Sequence, residues 1–354
     1  MIAASTEPAI MQRETILITS PLEAEHVARI AAFAPGRVEV LHEPDLLPAT
    51  RYRNDHKGHP LTRTAEQQAQ WDALLPRTTI AFDLPSASEL AMMPQLRWIQ
   101  TTSTGVGQAV AKLGLIDSPI IVTTARGVHA QPLAEFVFMA LLAHFRQLDY
   151  LRAEQRAHRW LRICGQEIAG RTLVILGAGD LARGSARIAK ALDMHVIAIA
   201  RNPAQSRDHG ALFDEVLPVS ALHEALGRAD AAVLTVPHTP ETERMIDATA
   251  IAAMKPGIAV VNIARGQVVD EVAMIEALRR GHIAFAALDV TEVEPLPAES
   301  PLWDMPNVLI SPHSASTVDG ENGRITDIFL HNLGLWLEGR PEAMRNLLDK
   351  PRLY

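Results

Sequence analysis

Three charged residues in the second half of the chain, Arg265, Glu294 and His313, lie just beyond apolar runs that read as strands, over residues 258–264, 283–290 and 308–312. In a parallel sheet the loops beyond the strand ends share one edge, and ligands bind there. A cation, a carboxylate and an imidazole are thus delivered to a common crevice. The cation can pair with a substrate carboxylate and polarise a carbonyl as negative charge develops on it. The imidazole can pass a proton near neutral pH, and a carboxylate beside it orients the ring and favours its protonated form. Reduction of a 2-oxo acid needs these parts, plus a hydride for the carbonyl carbon.

A place for a hydride carrier lies upstream. Residues 172–176 form an apolar strand that runs into Gly177-Ala178-Gly179-Asp180-Leu181-Ala182. A helix with an apolar face at Ile188, Ala189 and Leu192 follows, then a second strand over 195–199. Strand, glycine turn, helix, strand is the setting that a dinucleotide fingerprint requires. Gly177 permits the tight turn, and Gly179 lets backbone N–H groups approach the pyrophosphate at the helix N-terminus. Asp180 and Leu181 complete that contact set. Ala182 takes the third glycine place as an accepted small variant. The end of the second strand selects the cofactor. An acid there would bind the ribose hydroxyls, but this chain has Ala200-Arg201-Asn202. The Arg201 fork suits a ribose phosphate, and Ser206 and Arg207 could add contacts. NADP(H) is therefore favoured over NAD(H); stacking of Arg201 on the adenine would suit either.

The elements that must position these residues follow one rhythm. Short β-rich runs alternate with helical stretches, which means an α/β fold with parallel sheets. The first half reads as a small doubly wound domain, with strands at 15–19, 38–41, 79–82, 96–100 and 120–123. Pro132 to Arg159 reads as one long helix, with Leu133, Phe136, Val137, Ala140 and Leu141 on one stripe. The chain is accordingly divided into a substrate (catalytic) domain at 1–131 and 315–354, a linking helix and crossover at 132–167, and a nucleotide-binding domain at 168–314. The tail, with a helical stretch at 325–338, is expected to pack back onto the first domain. Residues 44–65 break the rhythm, crowding Arg51, Arg53, Asp55, His56, Lys57 and Arg63 between Pro48 and Pro60. They read either as a solvated loop or as a flap that selects an anionic substrate.

Composition excludes several classes. A net charge of -8 over 354 residues leaves no basic stripe for nucleic acid and no basic membrane-surface helix. The single cysteine, Cys164, rules out an intramolecular disulfide and multi-cysteine zinc sites. No signal-peptide pattern opens the chain, and no apolar run approaches the ~20 residues of a membrane span. The expectation is a cytoplasmic protein.

Taken together, the motifs resemble the D-isomer-specific 2-hydroxyacid dehydrogenase family. The matching stretches are Val261-Asn262-Ile263-Ala264-Arg265-Gly266, Ala287-Leu288-Asp289-Val290 with Glu294-Pro295-Leu296 behind it, and Ser311-Pro312-His313-Ser314-Ala315. Further matches are Thr102-Ser103-Thr104-Gly105-Val106, Leu133-Ala134-Glu135-Phe136, and Val236-Pro237-His238-Thr239-Pro240-Glu241-Thr242. The likeness runs from residue 95 to residue 345. It implies a Rossmann dinucleotide-binding domain inserted into a smaller flavodoxin-like substrate domain, with the active site between them. It puts Arg265, Glu294 and His313 in the catalytic roles, the Glu-Pro-Leu context selecting Glu294 over Glu292. It places the substrate carboxylate on backbone N–H groups around Thr104, Gly105 and Val106. It lines the cofactor with Pro237, Thr242, Ile263 and Ala264, and makes Asp289 a structural or cofactor-side group. It implies a homodimer and no metal. Formate-oxidising relatives carry glutamine at the Glu294 position, so glutamate here points to 2-hydroxyacid chemistry.

The expectation is an NADPH-dependent reductase of a small 2-oxo acid, of the glyoxylate or hydroxypyruvate reductase kind. Phosphoglycerate dehydrogenase is less favoured, because many such enzymes carry a further regulatory domain and few residues follow His313. The rival class is a dinucleotide-sensing binding protein resembling the family's corepressor branch, which can retain the catalytic residues. An extended partner-binding tail would favour it, and this sequence shows none.

Overall fold

Strands rich in Val, Ile and Leu that are buried on both faces are the mark of a parallel sheet covered on each side. In the first strand Ile16, Leu17 and Ile18 are fully buried, and the four residues Ala231–Leu234 of a later strand are buried likewise. The computed structural model describes residues 13–206 and 210–352. It divides the chain into two compact units, one running to Val128 and resuming at Val318, the other His129–Thr317. Residues 132–167 lie within the second unit.

In the first unit, β1 (Glu14–Ile18), β2 (Val38–Leu41), β3 (Ile80–Phe82), β4 (Trp98–Gln100) and β5 (Ile121–Thr123) pair in parallel in the order β2-β1-β3-β4-β5. That is the flavodoxin-like order. The returning tail covers this sheet with a helix, Glu321–Leu337, that buries Ile325, Phe329 and Leu333. Phe329 stacks on Trp98 with ring centroids 5.0 Å apart and meets Phe82 edge-on at 5.2 Å. The helix begins earlier than the apolar pattern at 325–338 indicates, because its first turn buries the polar residues Glu321 and Asn322.

The second unit holds β6 (Thr172–Leu176), β7 (His195–Ala200), β8 (Glu215–Pro218), β9 (Ala231–Leu234), β10 (Ile258–Asn262), β11 (Ile283–Leu288) and β12 (Val308–Ile310). Their order is β12-β11-β10-β9-β6-β7-β8, parallel throughout. The order reverses at β6 and β9, so the crevice beyond these two strand ends is the switch point of a doubly wound, Rossmann-type sheet.

One expectation needs correction. The single helix read from Pro132 to Arg159 is two, Ala130–Phe145 and Leu148–Arg156. Gln147 between them adopts a left-handed φ of 54°. Neither glycine nor proline marks that break, so the sequence carried no punctuation for it. The stretch around 51–63 is a largely exposed loop without helix or strand, as the first of its two readings has it, and it is internally bonded. Arg51 forks onto Asp55 at 2.7 and 2.9 Å, and Asp55 also accepts from the backbone of Lys57 and Gly58. The guanidinium holds the Asp55 carboxyl well below the usual carboxylate range. Arg63 lies over the Trp71 ring at 4.2 Å and donates to Leu46 O at 2.9 Å. Two of the cations therefore fasten the segment down. No helix among the described residues is long and apolar enough to cross a membrane.

Candidate active site

Strands β10, β11 and β12 are neighbours in one sheet, so the loops beyond their C-terminal ends are neighbours too. Arg265 leaves β10 in the first of these loops. Its turn is stapled by Asn262, whose Oδ1 accepts from Ala264 N at 3.0 Å and whose Nδ2 donates to Arg265 O at 3.1 Å. Ile263 and Ala264 are buried, while Arg265 is exposed and its Nη1 donates to Ala264 O at 2.6 Å. Gly266 comes next, and here the chain has no room for a side chain. A Cβ on Gly266 would stand 1.9 Å from Thr291 O and 2.4 Å from Glu292 N. The β10 and β11 loops thus touch backbone to backbone, and Gln267 Nε2 adds a bond to Glu292 O at 2.9 Å.

The second loop carries Glu294. Its Oε1 accepts from Thr291 N at 3.2 Å, and its Oε2 meets His313 Nδ1 at 2.7 Å. Glu292, the competing carboxylate, pairs with Arg244 at 3.2 Å. The third loop carries His313, with its side chain 46% exposed and its backbone at a left-handed φ of 52°. Histidine tolerates that region better than most side chains, yet the conformation persists only where neighbours over-determine it. Asp289 does so. Its backbone O accepts from His313 N at 2.9 Å. Its Oδ1 accepts from Ser311 Oγ at 2.7 Å and from Ser314 N and Ala315 N at 2.9 Å. Asp289 is 4% exposed, so this side chain faces the His313 loop from within.

The glycine turn lies at the switch point. Gly177 has φ 115°, and a Cβ there would press on Thr235 Oγ1 at 2.6 Å. Thr235 itself bonds Leu176 O at 2.6 Å, so the turn is closed against the loop beyond β9. Gly179 caps the helix Asp180–Ala191, and space above its Cα is open. A backbone with a required glycine on one side and open space at the helix N-terminus fits a pyrophosphate. Asp180 opens that helix and lies 3.5 Å from Arg183; Leu181 packs on the apolar core. Ala182 is buried without strain, and Gly184 abuts Ala130 O, where a Cβ would come within 2.7 Å. Thr242 Oγ1 donates to Pro237 O at 2.6 Å, closing the turn after β9. Arg201 and Asn202 follow β7, beside the glycine turn. Arg207 lies outside the described residues.

The structure therefore joins His313 to Glu294 directly and seats Arg265 on the adjoining loop. Thr104, Gly105 and Val106 belong to the first unit, beyond β4. Sequence reasoning missed the supports: Asn262, Gly266, Gln267 and the full role of Asp289. Asparagine at a strand end is a usable signal, because its amide competes for nearby backbone groups. A glycine after the arginine is another, since it marks close backbone approach.

Residues 138–315 match the family model described as D-isomer specific 2-hydroxyacid dehydrogenase, NAD binding domain. A D-3-phosphoglycerate dehydrogenase of Mycobacterium leprae is 36% identical over 284 residues, 77% of this chain and 50% of that protein. The chain thus spans about half the length of the phosphoglycerate dehydrogenases it matches. A glyoxylate reductase of Korarchaeum cryptofilum is 32% identical over 294 residues, 80% of this chain and 85% of that protein. Among solved structures, a D-isomer specific 2-hydroxyacid dehydrogenase from Xanthobacter autotrophicus, in complex with NADPH and MES, is 29% identical with a TM-score of 0.73, covering 96% of this chain and 100% of that one.

Proposed function

Because the chain belongs to the D-isomer-specific 2-hydroxyacid dehydrogenases, we propose that it reduces a small 2-oxo acid to the D-2-hydroxy acid with NADPH, reversibly. The observation that carries this reading is the 2.7 Å contact between His313 Nδ1 and Glu294 Oε2. With Nδ1 held by a carboxylate, Nε2 is the nitrogen that exchanges a proton with the substrate oxygen. Glu294 keeps the ring in that orientation. His313 donates the proton as the carbonyl oxygen gains charge, and takes it back in the reverse direction. Arg265, exposed on the neighbouring loop, pairs with the substrate carboxylate and polarises the carbonyl. Thr104, Gly105 and Val106 are assigned to the same carboxylate. The backbone N–H groups of Gly105 and Val106 donate to no protein group among the described residues, which supports that assignment.

When bound, the dinucleotide supplies or accepts the hydride. Gly177, Gly179, Asp180 and Leu181 hold its pyrophosphate, and Pro237, Thr242, Ile263 and Ala264 flank it. Arg201 and Asn202 stand where an acid would select the unphosphorylated ribose, which supports NADP(H) over NAD(H). Asp289 is assigned to holding the His313 loop, given its three side-chain bonds there.

The test is the initial rate of NADPH and NADH oxidation with glyoxylate, hydroxypyruvate, pyruvate, phenylpyruvate and 2-oxoisocaproate. The expected result is NADPH-preferring turnover that His313→Ala abolishes while cofactor binding persists. Faster turnover with NADH would overturn the cofactor assignment alone. No turnover across the panel, with the dinucleotide still bound, would move the reading to a 2-oxo acid outside the panel or to a dinucleotide-sensing protein.

The same reading includes a homodimer. Met139, Leu142, Leu151, Trp160 and Leu161 are exposed along the second unit, Trp160 at 96%. They fall on two successive helices and the segment that follows, and exposed large apolar side chains favour an interaction surface there. Light scattering is expected to return the mass of two chains, and Trp160→Ser to lower it toward one.

A further inference from the structure

Asp83 follows β3 in the first unit, beside β1, where the order of that sheet has its switch point. Its backbone lies at φ 84°, outside the range that a non-glycine residue adopts without strain. Such strain is retained where the surroundings over-determine it, and it gathers at functional sites. The surroundings here are specific. Asp83 N donates to Gln100 O at 2.7 Å, and Thr19 Oγ1 donates to Asp83 O at 3.1 Å. The carboxylate reaches the next strand's loop with both oxygens. Oδ1 accepts from Thr102 N at 3.3 Å and Oδ2 from Thr102 Oγ1 at 2.9 Å.

A turn-forming role does not need this. For local chain reversal the bond from Leu84 N to Oδ1, at 2.9 Å, already engages the side chain, and glycine or asparagine would accept the φ more readily. The second oxygen is committed to Thr102. From the other side, Thr101 N bonds Thr123 O at 2.8 Å and Ala125 N bonds Ser103 O at 3.2 Å. The segment leading into Thr104, Gly105 and Val106 is thereby pinned on both flanks. Both donors of Thr102 are committed to Asp83. The Asp83 carboxylate is held by three donors, Leu84 N, Thr102 N and Thr102 Oγ1.

We propose that Asp83 is a positioning residue for the substrate carboxylate: by holding Thr102 it fixes the direction of the Gly105 and Val106 N–H groups. The inference rests on the assignment of Thr104, Gly105 and Val106 made above. It is tested with Asp83→Ala and Asp83→Asn, reading KM for glyoxylate, inhibition by oxamate, kcat, and NADPH affinity from nicotinamide fluorescence. Asp83→Ala is expected to raise KM and the oxamate inhibition constant about tenfold, the loss of one charge-assisted contact set, with kcat and NADPH affinity moving by less than about threefold. Asp83→Asn tolerates the positive φ and can still bond Thr102, so it is expected to return KM to within about threefold of wild type. If Asp83→Ala does not fold, Asp83→Gly accepts the backbone freely and carries the same readout. A KM within about twofold of wild type in a folded Asp83→Ala or Asp83→Gly overturns the proposal, while wild-type turnover leaves the functional reading standing. Absence of wild-type turnover with every 2-oxo acid overturns both.

Discussion

Replacing Glu294 by glutamine tests the site at its one direct contact. Glutamate offers two acceptor oxygens, one to Thr291 N at 3.2 Å and one to His313 Nδ1 at 2.7 Å. Glutamine has one acceptor and one donor end, so it cannot serve both. If its oxygen stays with Thr291 N, its NH2 faces His313 and Nδ1 must act as acceptor. The ring then carries its single proton on Nε2 and cannot hold a second on Nδ1, which disables it as an acid and as a base. If the amide flips, the Nδ1–H bond survives as a neutral bond and the Thr291 N–H loses its partner. A bond to a charged group contributes about 1.5–3 kcal/mol and a neutral one about 0.5–1.5 kcal/mol, so the flip costs about 1–2 kcal/mol before the orphaned N–H is counted. The side chains of His313 and Glu294 are 46% and 37% exposed, and water screening holds the loss toward the low end. A deficit of about 1.4 kcal/mol in the transition state is about tenfold in rate. Glu294→Gln is therefore expected to lower kcat/KM about tenfold in both directions, with NADPH affinity unchanged. Steady-state kinetics with the best 2-oxo acid and with its product, beside a fluorescence titration of cofactor, measure this. Rates within about twofold of wild type in both directions would refute the idea that His313 depends on the carboxylate.

Further outcomes follow from the same geometry. Gly266→Ala forces a Cβ to 1.9 Å from Thr291 O, so backbone must move; a loss of about 1–3 kcal/mol in thermal or denaturant unfolding is expected, and an unchanged melting temperature would contradict the contact. Asp289→Ala strips acceptors from Ser311, Ser314 and Ala315, and is expected to lower kcat at least about tenfold with NADPH affinity retained. Weakened NADPH binding with kcat retained would return Asp289 to the cofactor side. Arg201→Ser is expected to raise KM for NADPH about 10–100-fold and leave NADH within about twofold; equal effects on both cofactors would point to adenine stacking instead. Bonds from Arg228 and His195 lower the Glu215 carboxyl to about 2 from its ordinary 4.5. Because the folded value lies below the unfolded one, the stabilisation is complete above about pH 4.5 and is lost as pH falls toward 2. Glu215→Gln should flatten acid unfolding in that window by about 1 kcal/mol, after discounting for solvent screening of this surface pair; an acid curve matching wild type would sink the assignment.

What the sequence revealed and what it hid divide along physical lines. Most strands were readable because parallel strands buried on two faces are continuous apolar runs, as over 258–262 and 283–288; β8 (Glu215–Pro218) and β9 (Ala231–Leu234), four residues each, were not read. Arg265, Glu294 and His313 stood out because each is charged or polar just beyond such a run. The glycine turn was legible because Gly177 and Gly179 sit between a strand and a helix. Contacts across loops were not legible. Nothing in the order of residues says that Gly266 lies under Thr291, or that Arg244 takes Glu292 and so leaves Glu294 for His313. The break at Gln147 was hidden for a different reason: a left-handed residue that is neither glycine, asparagine nor aspartate has no compositional mark. The pairing of the charges at 51–63 was also hidden, because a run of cations looks the same whether it is free or, like Arg51 and Arg63, engaged with Asp55 and Trp71.

The supports of the site form a series rather than a ring. Gly266 and Gln267 set the loop beyond β11 against the loop beyond β10. That second loop then holds the third at two levels. Asp289 fixes the backbone of His313 in its left-handed turn, and Glu294, five residues on, fixes its imidazole. Arg265 and His313 can therefore be kept in register without touching each other, because both are referred to residues 289–294. In the proposed reaction, two groups that act on one small substrate gain from this arrangement. A direct contact between them would occupy the donors that each needs for the substrate, whereas a shared intermediate loop leaves both exposed and still positions them.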